Sequence, residues 1–310
     1  MMSSHSPTSA AAAPDRAQRV RLRSGVAARA ARRVLQWRLL ALWAGALLLP
    51  TLVAALPVWH LLNLNLSHNV HAQALARQLD GVALGDLIVA LSGTPGIATG
   101  SVSALILTLL LSPLLTGATI TAARAPQAPT LPKLVAGAVL EYGRLLRMLV
   151  WALVPLALAG ALGGIALAAG GRYGERAILP ADAQRAALLA TFGAGLLMLL
   201  AHATLDAGRA MLAIDRRRKS AVAAWWNGLA LLRAQPLAAF GAYVAITVAG
   251  LVLAALAAVA RINVPALGIG GVPAAFVLTQ LAVVAIAWMR SARLVALMEL
   301  ASARQAHAPG

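Results

Sequence analysis

The chain reads as an all-α polytopic membrane protein with six transmembrane helices and short interfacial amphipathic helices. Three observations predict this. Six stretches, 39–76, 87–123, 148–171, 186–205, 234–260 and 262–289, contain no Asp, Glu, Lys or Arg. Each holds an apolar core of about 20 residues, the length a helix needs to cross bilayer hydrocarbon. The 310 residues are 61% hydrophobic and only 11% charged, whereas a soluble domain carries about 25% charged residues. Finally, the basic residues sit on alternate connections. Segments 1–38, 122–147, 206–236 and 290–310 hold 21 of the 26 Lys and Arg, and the other three connections hold five. By the positive-inside rule, both termini are cytoplasmic.

The same composition excludes several functions. Six spans use the whole length, so no soluble catalytic domain fits. Without cysteine there are no disulfides, thiolate metal sites or cysteine nucleophiles. The net charge of +17 would suggest nucleic acid in a soluble protein. Here it is a cytoplasmic rim facing anionic headgroups, so lipids are the expected partners and nucleic acid is not.

Taken in order, residues 1–15 are Ser/Ala/Pro-rich and fit a disordered leader. Within 16–38, Arg29, Arg32, Arg33 and Gln36 form one polar helical stripe, an interfacial helix leading into span 1 at 39–62. Arg32-Arg33-Val34-Leu35 faintly resembles a twin-arginine export motif, but the apolar run that follows is too long for a cleaved signal. The loop 63–97 is expected to carry two short surface helices. Span 2 covers 97–120 with Pro113 inside it. Pro126, Pro129 and Pro132 form a stiff linker. An amphipathic stretch follows, with Lys133, Gly137, Glu141 and Arg144 on one stripe, and then span 3 at 149–169. Span 4 runs over 186–205 and stays helical to 214. The run Arg216, Arg217, Arg218, Lys219 precedes an amphipathic helix with Trp225 and Trp226, which suits the headgroup layer. Spans 5 and 6 cover 237–260 and 273–295. The domains are thus a basic segment 1–38, a membrane domain 39–298 and a cytoplasmic tail 299–310. The order of interfacial helix, span, outer loop and span occurs three times. Asp206-Ala-Gly-Arg209 at the end of span 4 is echoed by Arg290-Ser-Ala-Arg293 at the end of span 6.

One segment carries a family resemblance. Asp206-Ala-Gly-Arg209, the step Asp215-Arg216, the amphipathic helix around Trp225 and the Pro236 before span 5 form a distinctive series. It resembles uncharacterised six-span bacterial inner-membrane proteins, similar to the membrane domain that precedes some glycerophosphodiester phosphodiesterases. The specific match lies within 205–236, and the six-span layout covers the rest. The resemblance implies a helical inner-membrane protein. The phosphodiesterase barrel is absent, so its chemistry does not carry over.

The strongest polar constellation is His202, Asp206 and Arg209, spaced by four and three residues near the basic end of span 4, with Arg290 and Arg293 ending span 6. Ionisable groups at membrane depth are candidate relay or ligand residues, and equally candidate structural ion pairs, with Asp206 pairing to Arg209, Arg290 or Arg293. His68, His71, Asp80 and Asp86 in the outer loop are a weaker set that lacks a metal-site spacing. Gly160-Ala-Leu-Gly163-Gly164 and Gly193-Ala-Gly195 suit close helix packing. No hydrolase or metalloprotease motif occurs. The sequence therefore points to a non-catalytic membrane-organising or accessory component, needing no cofactor and associating with lipid, another membrane protein or itself. A small transporter or channel is the alternative.

Overall fold

The computed structural model describes residues 25–66, 95–264 and 270–306, which form eight helices and no strand. They are α1 (Val26–Arg33), α2 (Trp37–Leu66), α3 (Pro95–Arg124), α4 (Leu131–Arg176), α5 (Pro180–Ile214), α6 (Ala221–Ala234), α7 (Pro236–Ile262) and α8 (Gly271–Gln305). All except α1 and α6 are long and apolar enough to cross a membrane. The outer-loop expectations, including His68, His71, Asp80 and Asp86, lie outside the described residues.

The helices extend past the apolar cores read from sequence. At about 1.5 Å per residue, the 46 residues of α4 make a rod roughly twice the hydrocarbon thickness. The amphipathic stretch at 133–147 is its first part and not a separate interfacial helix, because no Pro follows until Pro155 and Gly137 and Gly143 are accommodated within the continuous helix. Leu134, Ala138, Glu141 and Leu145 are buried along this part. The helix order is short, long, long in α1–α2–α3 and again in α6–α7–α8, whereas α4–α5 has no separate short helix. Helix α8 likewise continues beyond residue 298 to Gln305.

Packing is concentrated at the end that carries the basic connections. Leu39 and Trp43 of α2, Leu115–Ile120 of α3, Met148 of α4, Leu205–Ala213 of α5, Tyr243 of α7 and Ser291–Ala301 of α8 supply most of the core. Small residues set the approach. A Cβ on Gly228 would lie 2.5 Å from the backbone N of Gly208, and one on Gly117 would lie 3.0 Å from Ala138 Cα. Glycine lets such backbones meet where any side chain would hold them apart. Of the small-residue patterns in α4 and α5, Gly163 faces Ala194, while Gly160, Gly164, Gly193 and Gly195 have no neighbour within 4 Å of an added Cβ.

In the opposite half, Leu49, Leu56, Leu153, Leu158, Leu251 and Leu256 are exposed. Such a surface is costly in water and ordinary in hydrocarbon. An open apolar groove of about 750 Å³ lies there between α2 and α3, lined by Pro50, Ala54, Val58, Trp59 and Leu105.

Helix α1 is part of the packed end. Its apolar face, Val26 and Ala30, is buried, and it docks on α8 through Trp288 Nε1, which donates to Ala31 O at 3.0 Å. Arg29 Nε lies 3.5 Å from Glu299 Oε2.

Candidate functional site

Asp206 sits on the inward face of α5, where Ala203, Ala207 and Ala210 are buried beside it. These short side chains let neighbouring helices bring polar groups close. Arg209 Nη1 donates to Asp206 Oδ1 at 2.7 Å, one helical turn along. Tyr243 Oη of α7 donates to Oδ2 at 3.1 Å, and Arg293 Nη2 of α8 lies 3.8 Å from the same oxygen. Arg293 also covers the Tyr243 ring, with its guanidinium carbon 4.6 Å from the centroid, and its Nη1 donates to Thr247 Oγ1 at 3.4 Å. One carboxylate therefore ties α5, α7 and α8 together. Taking charges out of water is expensive, and such a group is tolerated when its lone pairs are matched this way.

Arg290 lies one turn before Arg293 on α8. Its guanidinium carbon is 5.6 Å from the Trp43 ring centroid, and no hydrogen bond or ion pair reaches it from the described residues. Arg290 lines a partly open cavity of about 20 Å³ with Trp43, Thr116, Thr119, Asp206, Arg209 and Ser291, enough for roughly one water. Thr119 Oγ1 donates to Leu115 O at 3.0 Å and accepts from Trp43 Nε1 at 3.3 Å. The Thr119 hydroxyl has one proton, so in its 3.2 Å contact with Ser291 Oγ Ser291 is the donor.

The structure thus brings together Asp206, Arg209, Arg290 and Arg293. It leaves out His202, which is exposed and whose Nδ1 contacts Met198 O at 2.9 Å. His202 and Arg209 are each within a turn of Asp206, but on opposite sides of it. Seven residues apart, they sit about two turns apart along α5, and only Arg209 turns into the bundle.

Sequence reasoning missed a second centre. Glu141 of α4 accepts from Arg124 Nη1 at 2.6 Å and from Arg144 Nη1 at 2.7 Å. Both arginines then turn to the C-terminal end of α5. Arg124 Nε and Nη2 donate to Ala213 O, and Arg144 Nη2 donates to Leu212 O at 2.8 Å and to Asp215 O at 2.6 Å. The last carbonyls of a helix lack intrahelical partners and carry partial negative charge, and here two cations satisfy them. Two signals were available: the i, i+3 spacing of Glu141 and Arg144, and Thr121-Ala-Ala-Arg124 at the end of α3, which resembles Asp206-Ala-Gly-Arg209 within α5 and Arg290-Ser-Ala-Arg293 within α8.

The basic run 216–219 lies in the turn between α5 and α6. Arg144 Nε donates to Arg218 O at 3.1 Å and Arg147 Nη1 to Lys219 O at 3.3 Å, so the backbone is held by α4. Arg216, Arg217 and Lys219 are exposed, while Arg218 Nε lies 3.5 Å from Asp215 Oδ2. The Asp215 carboxyl is held below its usual range, first by the Arg217 backbone N–H and then by the Arg218 guanidinium, against a partial desolvation. Ser220 caps α6 by accepting from Ala223 N at 3.2 Å. The two tryptophans of α6, whose rings meet edge-on at 5.1 Å, differ in their surroundings. Trp225 Nε1 donates to Thr204 Oγ1 at 3.1 Å and its ring meets Trp151 edge-on at 5.8 Å, whereas Trp226 is 55% exposed.

Among the described residues, no group of three or more His, Asp or Glu is close enough to hold a metal ion. No family model, no curated protein and no solved structure matches this chain.

Proposed function

We propose that this is a non-catalytic, multi-pass protein of the bacterial inner membrane, with both termini cytoplasmic, that organises lipid or partner proteins at its basic end. One observation carries the reading. The two buried carboxylates of the packed end, Asp206 and Glu141, are each held by two arginines. A carboxylate so engaged ties helices together, whereas a proton relay needs one that can be released. The exposed cations of 216–219 and the half-exposed α6 then form a surface suited to anionic headgroups. Kinship with six-span proteins similar to the membrane domain of some glycerophosphodiester phosphodiesterases belongs to this proposal and rests on residues 205–236.

The alternative, a small transporter, draws on the cavity beside Arg290. Asp206→Asn separates the two readings. A structural tie loses folded yield in membranes, because Arg209 and Arg293 are left without their partner, and Arg293→Gln in the same chain restores part of it. A transport residue keeps its yield and loses proton- or solute-coupled flux. Normal yield with lost flux would overturn the organising reading.

A further inference from the structure

Charge in the Asp206 centre does not balance. Three guanidinium groups, on Arg209, Arg290 and Arg293, surround one carboxylate. Asp206 spends one oxygen on Arg209 at 2.7 Å and the other on Tyr243 at 3.1 Å and Arg293 at 3.8 Å. Arg290 shares the cavity with Asp206, but no hydrogen bond or ion pair among the described residues engages its five N–H donors, and its guanidinium lies by the face of Trp43. Arg293 Nε is buried without a hydrogen-bond partner. Two positive charges in excess, held at the end of a membrane bundle where desolvation is costly, call for an anion.

We propose that the cavity between α2, α3, α5 and α8 is a binding site for a phosphate group, with Arg290 as its principal ligand and Arg209 as the second cation. The cavity of about 20 Å³ admits one oxygen, leaving the rest of the group at the mouth. A planar guanidinium presents paired donors to phosphate oxygens, and those of Arg290 are unspent. Two sources share this chemistry: the headgroup of an anionic phospholipid entering from the membrane face, and free phosphate entering from water. Basic pockets between spans at the cytoplasmic side are established headgroup sites in general. The inference does not rest on the organising reading, because an anion site would serve an organiser or a transporter.

The test uses the full chain purified in neutral detergent and titrated in separate arms. One arm adds phosphatidylglycerol against phosphatidylcholine, with bound lipid counted by native mass spectrometry. Another adds inorganic phosphate against chloride at equal ionic strength, followed by the melting temperature. The comparison proteins are Arg290→Gln, Arg290→Lys and, as a surface control, Arg216→Gln/Arg217→Gln. A phosphate site predicts one tight phosphatidylglycerol per chain, or a melting shift with phosphate alone. Either response falls at least tenfold in midpoint affinity in Arg290→Gln and stays unchanged in the surface control. Response in the lipid arm alone assigns the headgroup source, and response to inorganic phosphate assigns the free anion. If Arg290→Gln does not fold, Arg290→Lys must bind at least threefold more weakly, since an ammonium lacks the planar fork. Equal binding by wild type and the folded Arg290 variants overturns the proposal, as does a response to chloride alone or loss of binding only in the surface control.

Discussion

Tyr243 shows how a single hydroxyl takes part in the charge balance. Its Oη is the only donor that α7 gives to Asp206 among the described residues, and its ring lies beneath Arg293. Hydrogen bonds to charged groups contribute about 1.5–3 kcal/mol. Tyr243→Phe keeps the ring and removes that bond, so thermal unfolding in detergent is expected to show a loss of that size, with the helix content unchanged. A smaller loss is expected for Thr247→Val, because the 3.4 Å contact from Arg293 is longer. That Asp206 would need an arginine was legible in the sequence, with Arg209, Arg290 and Arg293 as equal candidates: i, i+3 spacing places the first on the same face, and an unpaired carboxylate could not persist at that depth. The choice of Arg209 and Arg293 over Arg290 came from the packing. Tyr243 was not legible. An aromatic near a span terminus has the same signature whether it points to headgroups or into the bundle, and only the approach of α5 decides between them. His202 failed for the converse reason, since spacing says which residues neighbour each other on a helix and not which side of Asp206 the bundle covers.

At the scale of elements, the α5–α6 corner is held by groups from α3 and α4. Glu141 orients Arg124 and Arg144, and these close the last carbonyls of α5 while Arg144 and Arg147 hold the backbone of the basic run. Glu141→Gln removes the charge that positions both guanidinium groups. Trypsin is then expected to cut at Arg216–Lys219 several times faster than in wild type, with cleavage elsewhere unchanged; an equal rate would mean the turn is held without Glu141. The turn also has a pH response. The Asp215 carboxyl is depressed by the Arg217 N–H and Arg218, so its contribution is complete above the ordinary aspartate range and is lost as pH falls through the lower folded value. Hydrogen exchange of residues 215–220, corrected for intrinsic rate, should stay flat through neutral and mildly acidic pH and rise only below about pH 4. Docking of α6 rests on Gly228 against Gly208. Gly228→Val would drive a side chain into the Ala207–Gly208 backbone, and overpacking of this kind costs about 1–3 kcal/mol. The expected signature is weaker α6 docking, seen as a change in Trp225 fluorescence when it leaves Trp151 and Thr204. The sequence indicated an amphipathic helix here but placed Trp225 and Trp226 together on a lipid face. The buried stripe is Ala221, Ala224, Gly228, Leu231 and Leu232, small residues with a weak hydrophobic signal and a strong effect on how near two helices can come.

Across the whole molecule, the six charge-free stretches carried the fold, because only a bilayer makes such runs tolerable and a helix is the shape in which one chain segment satisfies its own backbone there. What they could not convey was the uneven packing along the bundle: a core at the basic end and lipid-facing leucines through the other half. Leucine reads alike against a helix and against an acyl chain. The sidedness argument is separate from packing and rests on charge, with 21 basic residues on one set of connections and five on the other. It can be tested directly because the chain contains no cysteine, so one introduced thiol reports one position. Lys133→Cys lies in the first turn of α4 and Lys219→Cys in the α5–α6 turn, both at the packed end. Arg176→Cys closes α4 and Asn263→Cys follows α7 at the other end. In intact bacterial cells, a membrane-impermeant maleimide is expected to label positions 176 and 263 and to reach 133 and 219 only after the inner membrane is opened. The reverse pattern would keep the six-helix bundle and invert it in the membrane, placing the basic run 216–219 away from the anionic cytoplasmic leaflet and removing the electrostatic ground for lipid organisation at that face. A mixed pattern, with 133 and 219 on opposite sides, would contradict α4 and α5 as successive spans.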